Sequence, residues 1–293
     1  MAVAASPTLR KVIPALHGAG IPGAYSSTPT GSFSKLTGEV RHDPNFMTSL
    51  ARGLAVIQAF SDRKHHATIS QLSSRTGLSR AAVRRCLYTL RQLGFAGCDA
   101  RGRFFLRPRI LVLGHSYLST MPLSTAAQPV LDHLGQLLHE SAFGVATLDD
   151  LDIIYVARAH VTRVMPIDLS IGSRLPSFCT SIGRVLLAHM EPEEREAYLR
   201  RVAFIRFTEH TINSIEKLRQ VLRLVRENGY SIVDQELEIG LRSMAVPIRT
   251  ANHHVVAALS VGVQVQRVSI QQMQTRFLPH LRAAAQELGT LLH

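Results

Sequence analysis

Between Thr68 and Gly94 the chain reads TISQLSSRTGLSRAAVRRCLYTLRQLG, and no other stretch restricts the fold as strongly. Thr68 followed three residues later by Gln71 is a capping-box pattern; Ile69 and Leu72 give the short helix it starts an apolar side, and Gly77 ends it. Ser79 then stands where it can cap a second helix. In that helix Val83, Cys86, Leu87, Leu90 and Leu93 fall on one face, while Arg80, Arg84, Tyr88 and Arg91 follow the opposite face. Arginine in the first turns opposes the helix dipole, so Arg80, Arg84 and Arg85 need a reason outside the helix. Two short helices joined by a glycine turn, the second exposing cations, match a helix-turn-helix unit, whose second helix enters the DNA major groove.

The charge distribution supports that reading. The chain carries +12, and from Phe46 to Arg109 twelve Lys or Arg face two acids, Asp62 and Asp99, whereas Ile110 to His293 holds seventeen of each sign. The polyanion partner implied by the net charge therefore belongs to one short region. Leu50, Leu54, Ile57 and Phe60 predict a first helix over Met47–Ser61 with a buried stripe. Beyond Gly94, two strand-like runs flank Asp99-Ala100-Arg101-Gly102 and predict a hairpin wing with Arg101 and Arg103 at its tip, within reach of phosphate or the minor groove. The candidate contacts to double-stranded operator DNA are Ser79, Arg80, Ala81, Arg84, Arg85 and Tyr88 on the helix, with Arg101 and Arg103 on the wing. A solvated basic helix face and a plain surface hairpin are the alternatives.

At 293 residues the chain is long enough for about two domains. Residues 1–45 are rich in Ala, Gly, Pro, Ser and Thr without periodicity, which reads as a disordered tail or an overlong gene start. They carry neither the apolar core of a secretory signal nor the Arg-rich amphipathic pattern of a transit peptide. Apolar runs fall short of a membrane span of about 20 residues. Cys86, Cys98 and Cys179 show no CxxC spacing, so neither a zinc site nor a disulfide framework is expected, and a reducing cytoplasm fits. No metal and no cofactor is expected.

From Ile110 a linking helix runs to residue 121, and the remainder predicts an α+β domain on a largely antiparallel sheet. Helices are expected over 124–139, 181–189, 192–201, 214–228 and 269–292, and strands over 142–147, 152–157, 165–169, 231–234, 244–249 and 255–263. Within GSRLPSFCTSIGRVLLA a Gly/Ser/Pro-rich loop leads into an apolar helix, so amides near Thr180, Ser181 and Ile182 can face a pocket and suit a carboxylate. Asp234, Ser243 and Ser260 are the further candidates for that pocket, with Arg174 as a counter-charge. Each alone reads equally well as a satisfied turn or edge group.

The segments SLARGLAVIQAF, ISQLSSRTGLSRAAVRRCLYTLRQLGF, GSRLPSFCTSIGRVLLA, DQELEIGLRSMAVPI and FLPHLRAAAQEL together resemble the isocitrate lyase regulator (IclR) family of bacterial transcription factors, over about Met47 to Leu292. RAAVRRCLYTL and DQELE…GLRS resemble its branch regulating the β-ketoadipate pathway and p-hydroxybenzoate or protocatechuate use. The resemblance implies a winged helix-turn-helix (46–109), a linker helix (110–121) and a GAF-like effector domain (122–293). It also implies a homodimer or tetramer at operators near aromatic-catabolism genes, a small aromatic carboxylic acid as effector, and RNA polymerase as a further candidate partner. The family's effector pocket lies at positions matching Thr180, Ser181 and Ile182, with contributions matching Asp234, Ser243 and Ser260. Two other readings stand beside it. A basic architectural DNA-binding protein without an effector would leave the neutral domain unexplained. An enzyme acting on a small aromatic acid would need a base for Cys179, and no GxSxG, HExxH, P-loop or dinucleotide fingerprint is present.

Overall fold

The computed structural model describes residues 43–60, 66–139, 142–160 and 169–292. The tail read over 1–45 and the strand expected over 165–169 lie outside these residues except at their ends. The chain divides into two compact units, Met1–Ile110 and Leu111–His293.

In the first unit α1 (Thr48–Gln58), α2 (Ile69–Thr76) and α3 (Arg80–Gln92) precede a hairpin of β1 (Ala96–Cys98) and β2 (Phe104–Leu106). The capping box forms as the sequence predicts: Gln71 N donates to Thr68 Oγ1 and Thr68 N to Gln71 Oε1. Gly77 closes α2 at φ +70°, a conformation that costs glycine little. Val56, Ala59, Phe60, Leu72, Val83, Leu87 and Leu90 form the core. The expected stripe of α1 is only partly buried. Leu50 and Leu54 stand 58% and 48% exposed, because α1 packs through Ala55, Val56 and Ala59 instead. Leu93 is likewise exposed at the end of α3, where the chain turns at Gly94 with φ +78°. Ala67 exchanges both backbone hydrogen bonds with Phe104, adding a third short segment to the hairpin.

The second unit opens with α4 (Leu111–Thr120), in the stretch read as a linking helix, and α5 (Pro122–Leu138). Its sheet contains β3 (Ala142–Asp149), β4 (Asp152–His160), β5 (Arg174–Pro176), β6 (Ser231–Asp234), β7 (Leu241–Arg249) and β8 (Val255–Gln264). All pairs are antiparallel in the order β5-β4-β3-β8-β7-β6. Between strands run α6 (Ser181–His189), α7 (Pro192–Arg201) and α8 (Ile215–Asn228); α9 (Ile270–Gln272) and α10 (Leu278–Thr290) close the chain. The sequence reading treated 174–176 as loop, yet these residues pair with Asp152–Ile154. It also expected one continuous helix over 269–292. A π-helical turn, Met273–Phe277, interrupts it, since Pro279 cannot donate the next α-helical hydrogen bond.

Alternation along the strands divides the sheet into two faces. Met244, Val246 and Ile248 of β7 and Ala257, Leu259, Val261 and Val263 of β8 join α5 and α10 in one apolar core. The intervening positions, among them Ser243, Ser260 and Gly262, are left for the other face, on which α6 lies. Among the described residues no helix is long and apolar enough to cross a membrane.

Candidate functional site

On the first unit, Ser79 accepts a hydrogen bond from Ala82 N and so holds the start of α3. Beyond this cap Arg80, Ala81, Arg84, Arg85, Tyr88 and Arg91 are all exposed, on the side away from Val83, Leu87 and Leu90. The wing turn is built by Asp99, whose Oδ1 accepts from Arg101 N at 2.9 Å and Arg103 N at 2.8 Å. These bonds, led by the Arg103 amide, hold the Asp99 carboxyl below its usual range. The Arg103 side chain is also bound, Nε to Asp99 Oδ2 at 2.8 Å. The two wing arginines therefore differ: Arg101 is exposed at the tip, while Arg103 carries a charge already half-neutralised. Sequence reasoning missed Arg109, exposed at the foot of the hairpin with its guanidinium 5.5 Å from the Phe95 ring.

On the second unit a cavity of about 50 Å³ opens between α6 and the sheet. Thr180, Ser181, Ile182, Ser243 and Ser260 line it together with Tyr155, Arg158 and Glu236. Thr180 caps α6, accepting from Gly183 N at 3.2 Å and donating to Pro176 O at 3.0 Å. Ser181 and Ile182, whose first-turn amides have no partner within the helix, are among the lining residues. Ser260 Oγ donates to Gly144 O at 3.3 Å. Asp234 does not line the cavity: it grips Arg242 with both carboxylate oxygens, at 3.0 and 2.9 Å. Arg174 is elsewhere too, paired with Asp149 and Asp152.

The arginine of the cavity is Arg158, which sequence reasoning did not single out. Period-two alternation puts positions 155 and 158 on opposite faces of a strand. In β4, however, Ala157 pairs with Val145 and Tyr155 with Ala146, leaving Val156 without a partner. This bulge returns Arg158 to the Tyr155 side, and its guanidinium lies 4.5 Å from the Tyr155 ring centroid. Gly144 makes room for that ring, since a Cβ there would come within 2.7 Å of Tyr155 Cε1. Burial pushes the Tyr155 phenol up, against Arg158 and Ser260, so the phenol stays neutral. Arg158 Nε is buried without a hydrogen-bond partner. A buried guanidinium nitrogen left without an acceptor is costly unless a ligand atom meets it.

Glu236 is held from the opposite side. Its Oε2 accepts from Arg184 Nη2 at 2.6 Å and Ile212 N at 3.0 Å, and Arg184 Nε donates to Phe178 O at 2.9 Å. Arg184 is only 2% exposed. One buried pair thus ties the loop before α6, the Thr208–Ile212 segment and the turn after β6 around the cavity. Cys179 also lines the cavity, but burial pushes its thiol far up and its nearest polar partner is Pro176 O at 4.0 Å, which describes an inert core thiol.

A cationic helix-turn-helix with a wing, joined in one chain to an α+β unit that holds a small-molecule cavity, defines a ligand-responsive DNA-binding regulator. Comparison with known proteins agrees in both parts. Residues 49–99 match the IclR helix-turn-helix domain, and residues 115–290 match the bacterial transcriptional regulator IclR C-terminal domain. The chain belongs to the IclR family of bacterial transcriptional regulators. It is 52% identical over 247 residues to the Pca regulon regulatory protein of Pseudomonas putida, covering 84% of each chain. It is 34% identical to the p-hydroxybenzoate hydroxylase transcriptional activator of Acinetobacter baylyi, covering 87% of this chain and 94% of that one. Among solved structures, an IclR homolog from Microbacterium hydrocarbonoxydans complexed with 4-hydroxybenzoate superimposes with a TM-score of 0.71 at 26% identity, covering 83% of this chain and 98% of that one.

Proposed function

We propose that this regulator controls aromatic-acid catabolism genes, binding operator DNA through Phe46–Arg109 and a small carboxylic acid of that catabolism in the cavity of the second unit. The observation that carries the reading is Arg158: a guanidinium in the cavity wall, with a buried Nε that has no hydrogen-bond partner. A carboxylate supplies the missing acceptor, the amides of Ser181 and Ile182 bind its other oxygen or a ring substituent, and Ser243 and Ser260 orient the ring. Two relatives named as regulators of the Pca regulon and of p-hydroxybenzoate hydroxylase support this reading.

The cavity volume supports a regulatory role. About 50 Å³ exceeds the space one water needs but is well below the roughly 150 Å³ that holds a benzene ring. Entry of an aromatic acid must therefore part the walls, and the segments joined by Arg184 and Glu236 are those walls. A ligand that binds the opened arrangement better shifts the population toward it. Catalysis has no support in the site: Cys179 is inert, and the neutral phenol of Tyr155 is engaged with Arg158 and Ser260.

The direct experiment is run-off transcription from operator DNA selected by the full chain, with p-hydroxybenzoate, protocatechuate or β-ketoadipate added in turn. At least one acid changes the transcript yield. If none does, the effector class is wrong, while operator binding in the same tubes leaves the DNA-binding role standing.

A further inference from the structure

A second recess lies in the second unit, between α10, the turn joining β7 to β8 and the end of α8. It has a volume of about 650 Å³ and shares no lining residue with the effector cavity. That size falls in the range of small-molecule sites, roughly 300–1,000 Å³. Its floor is rigid: α10 sits so close on β7 that a Cβ at Gly289 would meet Arg249 O at 2.3 Å. In the turn, His253 takes the left-handed position (φ +62°) of a short hairpin closed by Thr250 and His254.

Two arginines with no carboxylate partner among the described residues, Arg249 and Arg282, line this recess. Arg249 Nη1 donates to His253 O at 3.1 Å and Nη2 to His189 Nε2 at 2.8 Å; Arg282 Nη2 donates to Asn228 O at 3.0 Å. His189 Nδ1 lies 2.8 Å from Val185 O, which can only accept, so Nδ1 carries the proton and the ring is neutral. Arg226 stands close enough that, after burial, it is the charge that lowers Arg249's pKa. Among the described residues no carboxylate forms an ion pair with Arg226, Arg249 or Arg282.

The ordinary role for such arginines is to neutralise helix C-termini, and three end nearby, at His189, Gly229 and Thr290. Of these, Gly229 and Thr290 line the recess together with Arg249 and Arg282. The magnitudes do not balance: two helix ends contribute about −1 charge in all against two full cations, so positive charge is left over at the recess, where Thr250, Gln286 and Thr290 add hydrogen-bonding groups.

We propose that this recess is a second ligand site, for a small multiply charged oxyanion such as a polycarboxylate or polyphosphate. Arg249 and Arg282 are its primary charge partners. Calorimetry on the full chain at constant ionic strength, with pyrophosphate and citrate as separate probes, tests it and separates the two anion chemistries. The proposal expects a saturable heat of one anion per chain with at least one probe. Arg282→Gln, at an exposed position and shown folded by its melting curve, weakens that binding by roughly tenfold or more, as removal of a charge-assisted hydrogen bond does. Arg249→Gln behaves alike if a melting curve shows it folded. Arg158→Gln in the effector cavity leaves the anion affinity unchanged. No saturable heat with either probe, or equal affinity in wild type and Arg282→Gln, overturns the proposal.

Discussion

At the scale of single residues, the two sites use arginine in opposite ways. On α3 the guanidiniums stand in solvent, where an isolated charge costs little and the binding term appears only when DNA arrives. Arg158 is instead held against Tyr155 inside the protein before any ligand is present. The candidate DNA contacts also differ from one another. Arg84→Ala, if Arg84 reads a guanine, costs roughly 1–3 kcal/mol at the operator and relaxes preference at one base pair, whereas Arg101→Ala weakens all sequences alike. Arg103→Ala has the smaller effect of the two wing changes, because Asp99 already neutralises part of its charge. Mobility-shift titrations on operator and scrambled DNA measure all three. Much of this was readable in the residues themselves, since the helix face, the cap and the wing turn are local patterns. Arg158 was not, because a β-bulge depends on the partner strand, and Arg174 drew attention although Asp149 and Asp152, distant in sequence, take up its charge.

At the scale of elements, α6 runs from the cavity lined by Thr180, Ser181 and Ile182 at its N-terminus to His189, which meets Arg249, at its C-terminus. Gly183 sets how close it approaches the preceding loop, since a Cβ there would lie 2.1 Å from Ser177 O. His189 in its last turn is neutral, with burial first and then Arg249 and Arg226 lowering its pKa from 6.5. A histidine whose folded pKa lies below its unfolded value is harder to protonate in the native state. Its stabilising contribution is present above pH 6.5 and is lost as pH falls through that value toward the folded pKa. Denaturant melts from pH 7.5 to about 5.5 therefore show stability falling with acidification, and His189→Gln, which keeps an acceptor for Arg249 but does not titrate, shows a shallower fall. A slope equal to that of wild type removes His189 from this account. The helices of the effector unit were legible from their caps and periodicity. The short strand β5 and the π-turn were not, because pairing to a distant strand makes the first and a single proline inside a helical pattern forces the second.

At the scale of the whole molecule, the exposed apolar residues call for a partner. Met47, Leu50 and Leu54 on the first unit, and Leu111, Val112, Leu113 and Tyr117 on α4 of the second, are each about half exposed or more. One recognition helix also reads too few base pairs to find a genomic site. A second copy covering these faces gives two recognition helices and an operator with related half-sites about one helical turn apart. Light scattering at micromolar concentration reports a dimer or larger species, and Leu113→Glu with Tyr117→Glu lowers the mass toward that of one chain. A monomer both alone and on DNA contradicts the expectation.

The central claim is that a small carboxylic acid of aromatic catabolism enters the second unit and meets Arg158. Isothermal calorimetry tests it most directly, titrating p-hydroxybenzoate, protocatechuate and β-ketoadipate into wild type and Arg158→Gln, with operator binding of both chains measured in parallel. The account predicts a saturable heat for at least one of the acids in wild type, an affinity lower by about 1.5–3 kcal/mol in Arg158→Gln, and equal operator affinity for the two chains. Wild-type heat that persists unchanged in Arg158→Gln, or no heat with any of the three acids, contradicts it.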